Sequence, residues 1–484
     1  MQKPKKFTLR VLLLLGLWLP VQLAMPFEWQ GSTISAAWAD DDDGGDDGGG
    51  GDDNGGGDDR DDDRDDDRDD DRDDDDRRGG PGSRIERGYS GDRTSRSGQR
   101  RPTNAAPQAT RPRAPVAFPT HAPSEIIVSD ASADDLAQLV SEGFVVEATI
   151  SLENLNRVLT RLATPPGLTL EAARDRVRAL PSGDSADFNH YYRFEQKEGL
   201  EASSHACLHE NCPAWEMIEW PQLTQASGTC SVRVPVGMID TGINAEHEIM
   251  AGARLELIQL SDTSLAPSTA IHGTAVASLM TGDPQSRVPG LIHGAEIVAV
   301  DAFSRNGADE RADLVSLLRG FDALHARGVR VINLSLAGPD NRLLEQAVAQ
   351  LVQEDGIVVV AAAGNAGPKG EPAYPAAFDT VLAVTAVDAR ARVYRKAQRG
   401  PHIDLTAPGV NMLSATSIRG ARLKSGTSFA VPFVTAAVAI MLSTDATLTP
   451  EQVRARLIGS AQDLGAPGFD EIFGHGLLNT KGLC

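Results

Sequence analysis

The chain has 484 residues, too many for one ordinary domain, and its 68 acidic and 46 basic side chains give a formal net charge of −22. Most of the excess negative charge lies in one segment, Asp40 to Arg78, which contains 23 Asp and 6 Arg. No nucleic-acid partner is expected for a chain of this charge. Because the composition is so uneven, the sequence is best interpreted segment by segment.

Residues 1–39 resemble a secretory signal peptide. Four basic residues among the first ten precede a Leu-rich run from Val11 to Ala24, and Ala37-Trp38-Ala39 matches a small-residue cleavage pattern. Such a signal would export the protein to the periplasm or the medium, and cleavage is expected after Ala39. An uncleaved membrane anchor is the alternative, since Pro20 interrupts the apolar run and the cleavage site lies far from it. No later stretch has about 18 uninterrupted apolar residues, so no stable membrane insertion is expected after signal removal.

Residues 40–124 predict a disordered tail. The first part repeats a DDDR unit that cannot bury apolar surface, and the second part is rich in Arg, Pro and Ser. A calcium-binding repeat is the functional alternative, but the glycine-rich nonapeptide pattern and the DxDxDG loop are both absent. A solvated tail is the favoured interpretation.

Residues 125–200 predict a small α+β unit. IIVSD and FVVEATI are typical of strands, and DDLAQLVSEG of a helix that ends at Gly143. LENLNRVLTRLATP and TLEAARDRVRAL predict two further helices, and the aromatic residues of DFNHYYRFE favour an edge strand. From its layout alone the unit could also be an independent binding module.

The four cysteines of an exported chain suggest one or two disulfides, for which three full pairings exist. A short loop between Cys207 and Cys212 is favoured, which leaves Cys230 for the last residue, Cys484. Metal binding is less favoured, because Cys207 and Cys212 are five apart and no second close pair follows.

Residues 205–484 predict the main domain, and from Val232 apolar runs alternate with helical stretches. The strand candidates are VPVGMID, AEIVAVDAF, VRVINLSLAG, GIVVVAAAGN, TVLAVTAVD and HIDLTAPG. Runs that are apolar throughout indicate strands buried on both faces, and alternation with helices indicates a doubly wound α/β domain with a largely parallel sheet. In such sheets the carboxyl ends of the strands carry the chemistry.

Three motifs lie where this rule places a site. VGMIDTGIN ends a buried strand with Asp240, IHGTAVASL opens a helix with His272, and SGTSFAVP opens an apolar helix with Ser428. Singly, each residue could be structural: a turn aspartate, a loop histidine or a helix-capping serine. Their joint occurrence in this order and context makes that interpretation improbable.

These motifs resemble the subtilisin-like serine protease family over about residues 232–479. The resemblance implies a secreted serine endopeptidase with Asp240, His272 and Ser428 as catalytic triad, and Asn365 in VVVAAAGNAGP as the oxyanion-hole asparagine. Two alternatives remain. A catalytically dead binding protein could keep the scaffold, and a sedolisin-type carboxyl peptidase shares the GTS motif but has an acidic residue in place of histidine.

The resemblance also extends to substrate binding and maturation. It implies that the unit at 125–200 is a propeptide that inhibits the enzyme intramolecularly and is removed by self-processing, in a protein that is a monomer and needs no cofactor for its chemistry. No calcium ligand set is readable, and Ala337-Gly338 stands where the family more often has two glycines. The expected substrate-lining residues are Ser335, Leu336, Ala337, Gly338, Ala362, Ala363 and Gly364.

Overall fold

The computed structural model describes residues 118–194, 197–198, 209–221, 231–260 and 264–483. The predicted signal peptide and nearly all of the predicted tail at 40–124 lie outside these residues. Cys212 is disulfide-bonded, but Cys207, Cys230 and Cys484 lie outside the described part of the chain, so the pairing stays a prediction.

The described residues contain strands and helices in the following order. The strands are β1 (His121–Ser129), β2 (Val145–Leu152), β3 (Arg157–Ala163), β4 (Asp187–Tyr192), β5 (Lys197–Glu198), β6 (Val236–Asp240), β7 (Arg254–Gln259), β8 (Ala266–Pro267), β9 (Glu296–Asp301), β10 (Phe303–Asn306), β11 (Asp309–Asp313), β12 (Val331–Leu334), β13 (Val358–Ala362), β14 (Leu382–Val387), β15 (Leu405–Pro408), β16 (Met412–Ala415) and β17 (Ala421–Ser425). The α-helices are α1 (Ala133–Ser141), α2 (Leu170–Arg178), α3 (Cys212–Met217), α4 (Ile271–Thr281), α5 (Leu314–His325), α6 (Arg342–Gln353), α7 (Val431–Thr444) and α8 (Pro450–Ser460).

Seven parallel strands form the central sheet, in the order β15-β14-β13-β12-β6-β9-β7. Successive residues of each strand face opposite sides. On β6, Met238 packs into a core that includes α4 and α7, whereas Ile239 packs into a second core that includes α5 and α6. The apolar runs are thus strands covered by helices on both faces, and the predicted α/β fold is confirmed.

The N-terminal unit, here residues 118–194, has a core of its own. Ile126 and Val128 of β1 pack against Leu139 of α1 and Val177 of α2. Its strands β2, β3, β1 and β4 continue into β11, β10 and β8, so that one seven-stranded sheet includes strands from both sides of residue 200. DFNHYYRFE therefore contains a strand, but β4 is not at an edge: it pairs with β1 on one side and β11 on the other.

The helix predicted for LENLNRVLTRLATP is wrong. The segment instead completes β2, turns at Asn156, which has a φ of 50°, and forms β3, antiparallel to both β1 and β2. Its leucines recur at helical spacing, but they belong to two cores: Leu155 and Leu159 pack with α5 and α6, and Leu162 packs inside the N-terminal unit. Leucine spacing alone could not separate these two arrangements.

The end of the N-terminal unit meets the start of α6 at His190. The side-chain oxygen of Asn341 caps α6 by accepting from Leu344 N at 3.1 Å, which leaves the amide nitrogen 2.9 Å from Nδ1 of His190. This network assigns the ring proton to Nε2. Burial lowers the pKa of His190 to about 4, although the nearby Asp187 carboxylate acts in the opposite direction. The histidine is therefore neutral in the docked unit.

Residues Thr427–Thr444 form a helical stretch that is long and apolar enough to cross a membrane. It is also 89% buried among the other described residues, where α7 packs against α4 and the central sheet. Its apolar composition is therefore explained by its position in the core, where all sides of the helix are buried.

Candidate active site

Three polar side chains lie at the carboxyl end of the parallel sheet. Asp240 is the last residue of β6 and pairs in register with Asp301 at the end of β9. His272 lies in the first turn of α4, and Ser428 in a short 3-10 helix, Thr427–Phe429, that leads into α7. This is the edge at which open parallel α/β sheets bind ligands.

Asp240 and His272 form a buried pair. Nδ1 of His272 lies 2.7 Å from Oδ1 and 3.0 Å from Oδ2 of Asp240, and the two side chains are 0% and 2% exposed. A carboxylate at this distance holds the proton on Nδ1, because only then does the ring donate to it. The other ring nitrogen, Nε2, is therefore the acceptor, and it has no hydrogen-bond partner among the described residues.

The loops around this pair are tied together by the backbone. Thr241 N donates to Asp240 Oδ1 at 2.7 Å, and Gly273 N donates to Thr241 Oγ1 at 2.8 Å. A Cβ at Gly273 would overlap the carbonyl oxygen of Thr241, so the residue after His272 has to be glycine. This close approach fixes the distance between the aspartate and the histidine.

Ser428 is linked to Ser335, not to His272, in this state. The Ser428 hydroxyl donates to the carbonyl oxygen of Ser335 at 3.1 Å, and the Ser335 hydroxyl donates to the carbonyl oxygen of Ser428 at 2.8 Å. The serine is 2% exposed. Catalytic hydrogen bonds commonly form only with substrate in place, so the bond to Ser335 does not exclude one between Ser428 and His272 when substrate is bound.

Asn365 follows β13 and reaches the same region. Its side-chain oxygen accepts from the backbone N–H and the hydroxyl of Thr427, at 3.0 and 3.1 Å. These bonds orient the amide so that its nitrogen points away from Thr427. Gly364, which precedes it, has a φ of +100°, and a Cβ there would overlap the Gln398 side chain. The turn that presents Asn365 therefore requires glycine.

The predicted substrate-lining residues fall into two groups near Ser428. The stretch from Ser335 to Gly338 follows β12, and its backbone pairs on both sides: Ala337 with Arg193, and Gly338 with Tyr374. Ala362 and Ala363, at the end of β13, are buried, and Gly364 N donates to Thr427 Oγ1 at 3.2 Å. Both groups lie close to Ser428. The first contacts it through Ser335, and the second contacts the preceding residue, Thr427.

A segment of the N-terminal unit crosses this site. Arg193 N donates to Ala337 O at 2.9 Å, and Ala337 N donates to Arg193 O at 2.8 Å. The next residue, Phe194, stacks on the His272 ring with 4.5 Å between ring centroids. Beyond it, Lys197 of β5 pairs with Ser425 of β17, three residues before Ser428.

Some contacts near the site are not predicted by the sequence. Phe194 belongs to DFNHYYRFE and Thr427 to SGTSFAVP, but neither motif indicates the stacking of Phe194 on His272 or the bonds from Thr427 to Asn365. Burial raises the pKa of Asp301 to about 6, and the neighbouring Asp240 carboxylate adds to this effect. Only the strand-end position of Asp301 could have indicated it. Among the described residues, no cluster of three or more His, Cys, Asp or Glu could hold a metal ion.

A family model described as the subtilase family matches residues 232–476. Subtilisin DY from Bacillus licheniformis is 36% identical over 265 residues, which are 53% of this chain and 93% of that protein. The minor extracellular protease Epr from Bacillus subtilis is 32% identical over 308 residues, 63% of this chain and 45% of that protein.

One solved structure resembles a larger part of the chain than the family model matches. Fervidolysin from Fervidobacterium pennivorans, described as a keratinolytic enzyme related to subtilisin, has a TM-score of 0.61 at 20% identity. The likeness covers 76% of this chain and 62% of that one. At this identity it concerns the fold alone.

Proposed function

Since the chain belongs to the subtilase family and is a subtilisin-like serine endopeptidase, we propose that Asp240, His272 and Ser428 are its catalytic triad. The observation that carries this proposal is the buried contact between His272 Nδ1 and the Asp240 carboxylate, at the sheet edge where Ser428 also lies. A serine hydroxyl is a weak nucleophile until a neighbouring base accepts its proton. The carboxylate prepares His272 to be that base.

In the proposed reaction, Ser428 Oγ attacks the peptide carbonyl carbon while His272 Nε2 accepts its proton. Asp240 keeps Nε2 unprotonated before attack and stabilises the ring once it is charged. His272 then gives the proton to the leaving amine, and an acyl-enzyme remains. Water attacks the ester in the second half, with His272 again as base, and the serine is regenerated.

The tetrahedral intermediate carries an oxyanion that needs donors. We assign this role to Asn365 Nδ2 and to the backbone N–H of Ser428. The support is the orientation of the Asn365 amide, whose oxygen is held by Thr427 directly before the nucleophile. A donor fixed in advance stabilises the developing charge without reorganising, which is why such groups contribute strongly to catalysis.

The N-terminal unit, with the residues up to about 200, is proposed to be an inhibitory propeptide. Arg193 and Phe194 occupy the substrate edge and the face of the His272 ring, so a protein substrate cannot bind while they are in place. The chain runs on to Lys197, beside Ser425. The described residues on both sides of positions 195–196 thus lie near the nucleophile, which favours cleavage of this segment by the enzyme's own Ser428, between about Glu195 and His205.

The remaining parts of the proposal concern location and partners. The protein is proposed to be exported through its signal peptide and to act as a monomer on protein or peptide substrates in the periplasm or the medium. Its chemistry needs no cofactor, because a serine, a histidine and hydrogen-bond donors supply the nucleophile, the base and the oxyanion site.

The test of the triad is labelling by a serine-reactive fluorophosphonate probe. The purified wild-type protein should be labelled, and Ser428→Ala should not, although it should fold. Ser443→Ala is the matched control, because Ser443 lies near the far end of α7, the helix into which the Ser428 turn leads, and its hydroxyl accepts from the backbone N–H groups of Arg233 and Val234. Equal labelling of Ser428→Ala and wild type would refute the assignment.

The same experiment separates the alternatives. A scaffold without catalysis would not be labelled at all. A sedolisin-type mechanism would leave activity in His272→Ala, whereas the triad predicts a loss comparable to that in Ser428→Ala, since the three residues act as a unit.

Processing gives a second test. Ser428→Ala should accumulate at the size of the precursor, while wild type should yield a fragment that begins after Phe194. N-terminal sequencing of the product decides the outcome. A mature chain that still contains residues 126–194 would make the N-terminal unit a permanent domain.

A further inference from the structure

One ion pair links the crossing segment to the main domain. Arg193 makes a two-pronged contact with Asp309: Nε lies 2.7 Å from Oδ1, and Nη2 lies 2.9 Å from Oδ2. The carboxylate side chain is only 4% exposed. Arg311 pairs with the same Oδ2 atom. A bidentate arginine–carboxylate pair of this kind recognises shape as well as charge.

The carboxylate of Asp309 is kept ionised by these two cations. Burial alone would raise its pKa, but the hydrogen bonds from Arg193 and Arg311 outweigh that effect and lower it. When the N-terminal unit leaves, Arg193 leaves with it, and of these two cations Asp309 retains Arg311. A carboxylate that has lost one of two paired cations is a site for a replacement cation.

Asp309 is positioned by the enzyme, independently of the arginine. It begins β11, and its pairing with Asn306 closes the hairpin between β10 and β11. Ala312 of the same strand pairs with Tyr192, next to Arg193 in the sequence. The carboxylate therefore lies beside the edge along which an extended chain passes Ala337.

We propose that Asp309 is a specificity-determining residue, which selects an arginine in protein substrates at the position held by Arg193. The inference rests on the proposed function and names its substrate class: extended segments with arginine between two bulky apolar or aromatic residues. Tyr192 is fully buried against Gly338 and Phe194 stacks on His272, so both flanking positions accept rings.

The register locates the cleaved bond relative to the arginine. In a substrate that continues the antiparallel pairing made by Arg193 with Ala337, the residue two positions after the arginine is opposite Ser335. The carbonyl oxygen of Ser335 accepts from the Ser428 hydroxyl. We therefore expect Ser428 to attack the carbonyl of the substrate residue that is opposite Ser335. A substrate is then cleaved after the second residue that follows its arginine. In this chain that residue is Glu195, which lies outside the described residues.

The experiment uses the processed wild-type enzyme and internally quenched peptides with the sequence of residues 190–198. One peptide keeps the arginine, one carries lysine and one carries citrulline, which has the shape of arginine without its charge. The expected kcat/KM is highest for arginine, and about 10- to 100-fold lower for citrulline, because a desolvated charge pair is lost. Lysine should be intermediate, since it cannot make the two-pronged contact.

The decisive comparison is with Asp309→Asn. In this variant the arginine-to-citrulline ratio of kcat/KM should fall below about threefold. Glu296→Gln is the matched control, because Glu296 binds Arg254 at the amino end of the sheet, and its ratio should equal that of wild type. A ratio unchanged in Asp309→Asn would overturn the proposal.

Further readouts keep the result interpretable. If Asp309→Asn is not recovered as processed enzyme, Asp309→Glu, which keeps the charge but moves it by one methylene, should give an intermediate ratio. A wild-type ratio in that variant would count against the assignment.

Mass spectrometry of the products should find the cut after the glutamate at position 195. An enzyme that cleaves all three peptides equally would refute the arginine site alone, whereas one that cleaves none and binds no fluorophosphonate would refute the proposed function.

Discussion

The side chain of Tyr192 offers a quantitative test of how the N-terminal unit docks. It is completely buried in the core beside α5 and α6, and its ring lies so close to Gly338 that a Cβ there would overlap it. Its hydroxyl has no hydrogen-bond partner among the described residues. Burial raises the pKa of this hydroxyl well above its usual range, so it stays protonated and charge does not enter the comparison.

Two substitutions should therefore act in opposite directions. Tyr192→Phe removes an unpaired polar atom and keeps the ring, so it should raise the free energy of unfolding by about 1–2 kcal/mol. Tyr192→Ala empties the pocket and should lower it by about 3–5 kcal/mol. Tyr191→Phe is the control, because Tyr191 is half-buried with Arg311 over its ring, which phenylalanine retains. Its effect should stay within about 0.5 kcal/mol.

The assay is denaturant unfolding of the full chain in the Ser428→Ala background, in which the segment that follows Tyr192 stays uncut. The fluorescence of the aromatic side chains and the helix content should show the same transition if the N-terminal unit and the main domain unfold together. A loss of more than about 1 kcal/mol in Tyr192→Phe would show that the hydroxyl is bonded and would refute the reasoning. A loss below about 1 kcal/mol in Tyr192→Ala would refute tight docking.

Three further predictions concern the site, the tail and pH. Asn365→Ala should lower kcat about 100- to 1,000-fold in steady-state assays with a small peptide, with little change in KM. Deleting residues 40–78 should leave kcat/KM for a neutral peptide within about two- to threefold, and a tenfold loss would show that the tail acts on the site. Because docking keeps His190 neutral, with a pKa of about 4 against 6.5 for the free side chain, binding should weaken as the pH falls from 6.5 to 4. Inhibition measured across that range should show this loss, and His190→Gln should flatten it.

The central sheet could be predicted from the sequence because its strands are apolar on both faces. The strands around Met238, Val331 and Val359 have no polar face that would indicate an edge strand or a surface strand. The structure places all three in the interior. The motifs that follow these strands then fall at one edge through topology alone. Asp240 follows this rule directly, whereas His272 and Ser428 are grouped with it through the resemblance of their motifs, and the order of those motifs, to the subtilisin-like family.

Other features depend on contacts between segments that are far apart in the chain. The sequence predicts a helix where β3 lies, because Leu155, Leu159 and Leu162 follow a helical period while facing two separate cores. The role proposed for Asp309 could not be predicted from the sequence, because it depends on the contact with Arg193. That contact forms only when the sheet brings the two residues together. The stacking of Phe194 on His272 has the same origin. No local pattern encodes such pairings.

The shared sheet has a consequence for the proposed inhibition and processing. The pairing of β4 with β11 and the burial of Tyr192 do not involve the bond proposed to be cut, so the proposed cut leaves these contacts in place. What is lost is the tether, which holds the two parts together at a high effective concentration. After cleavage the unit is a separate molecule, and its occupancy depends on dilution. Inhibition that is complete inside a crowded compartment would then be relieved as the protein spreads into a larger volume.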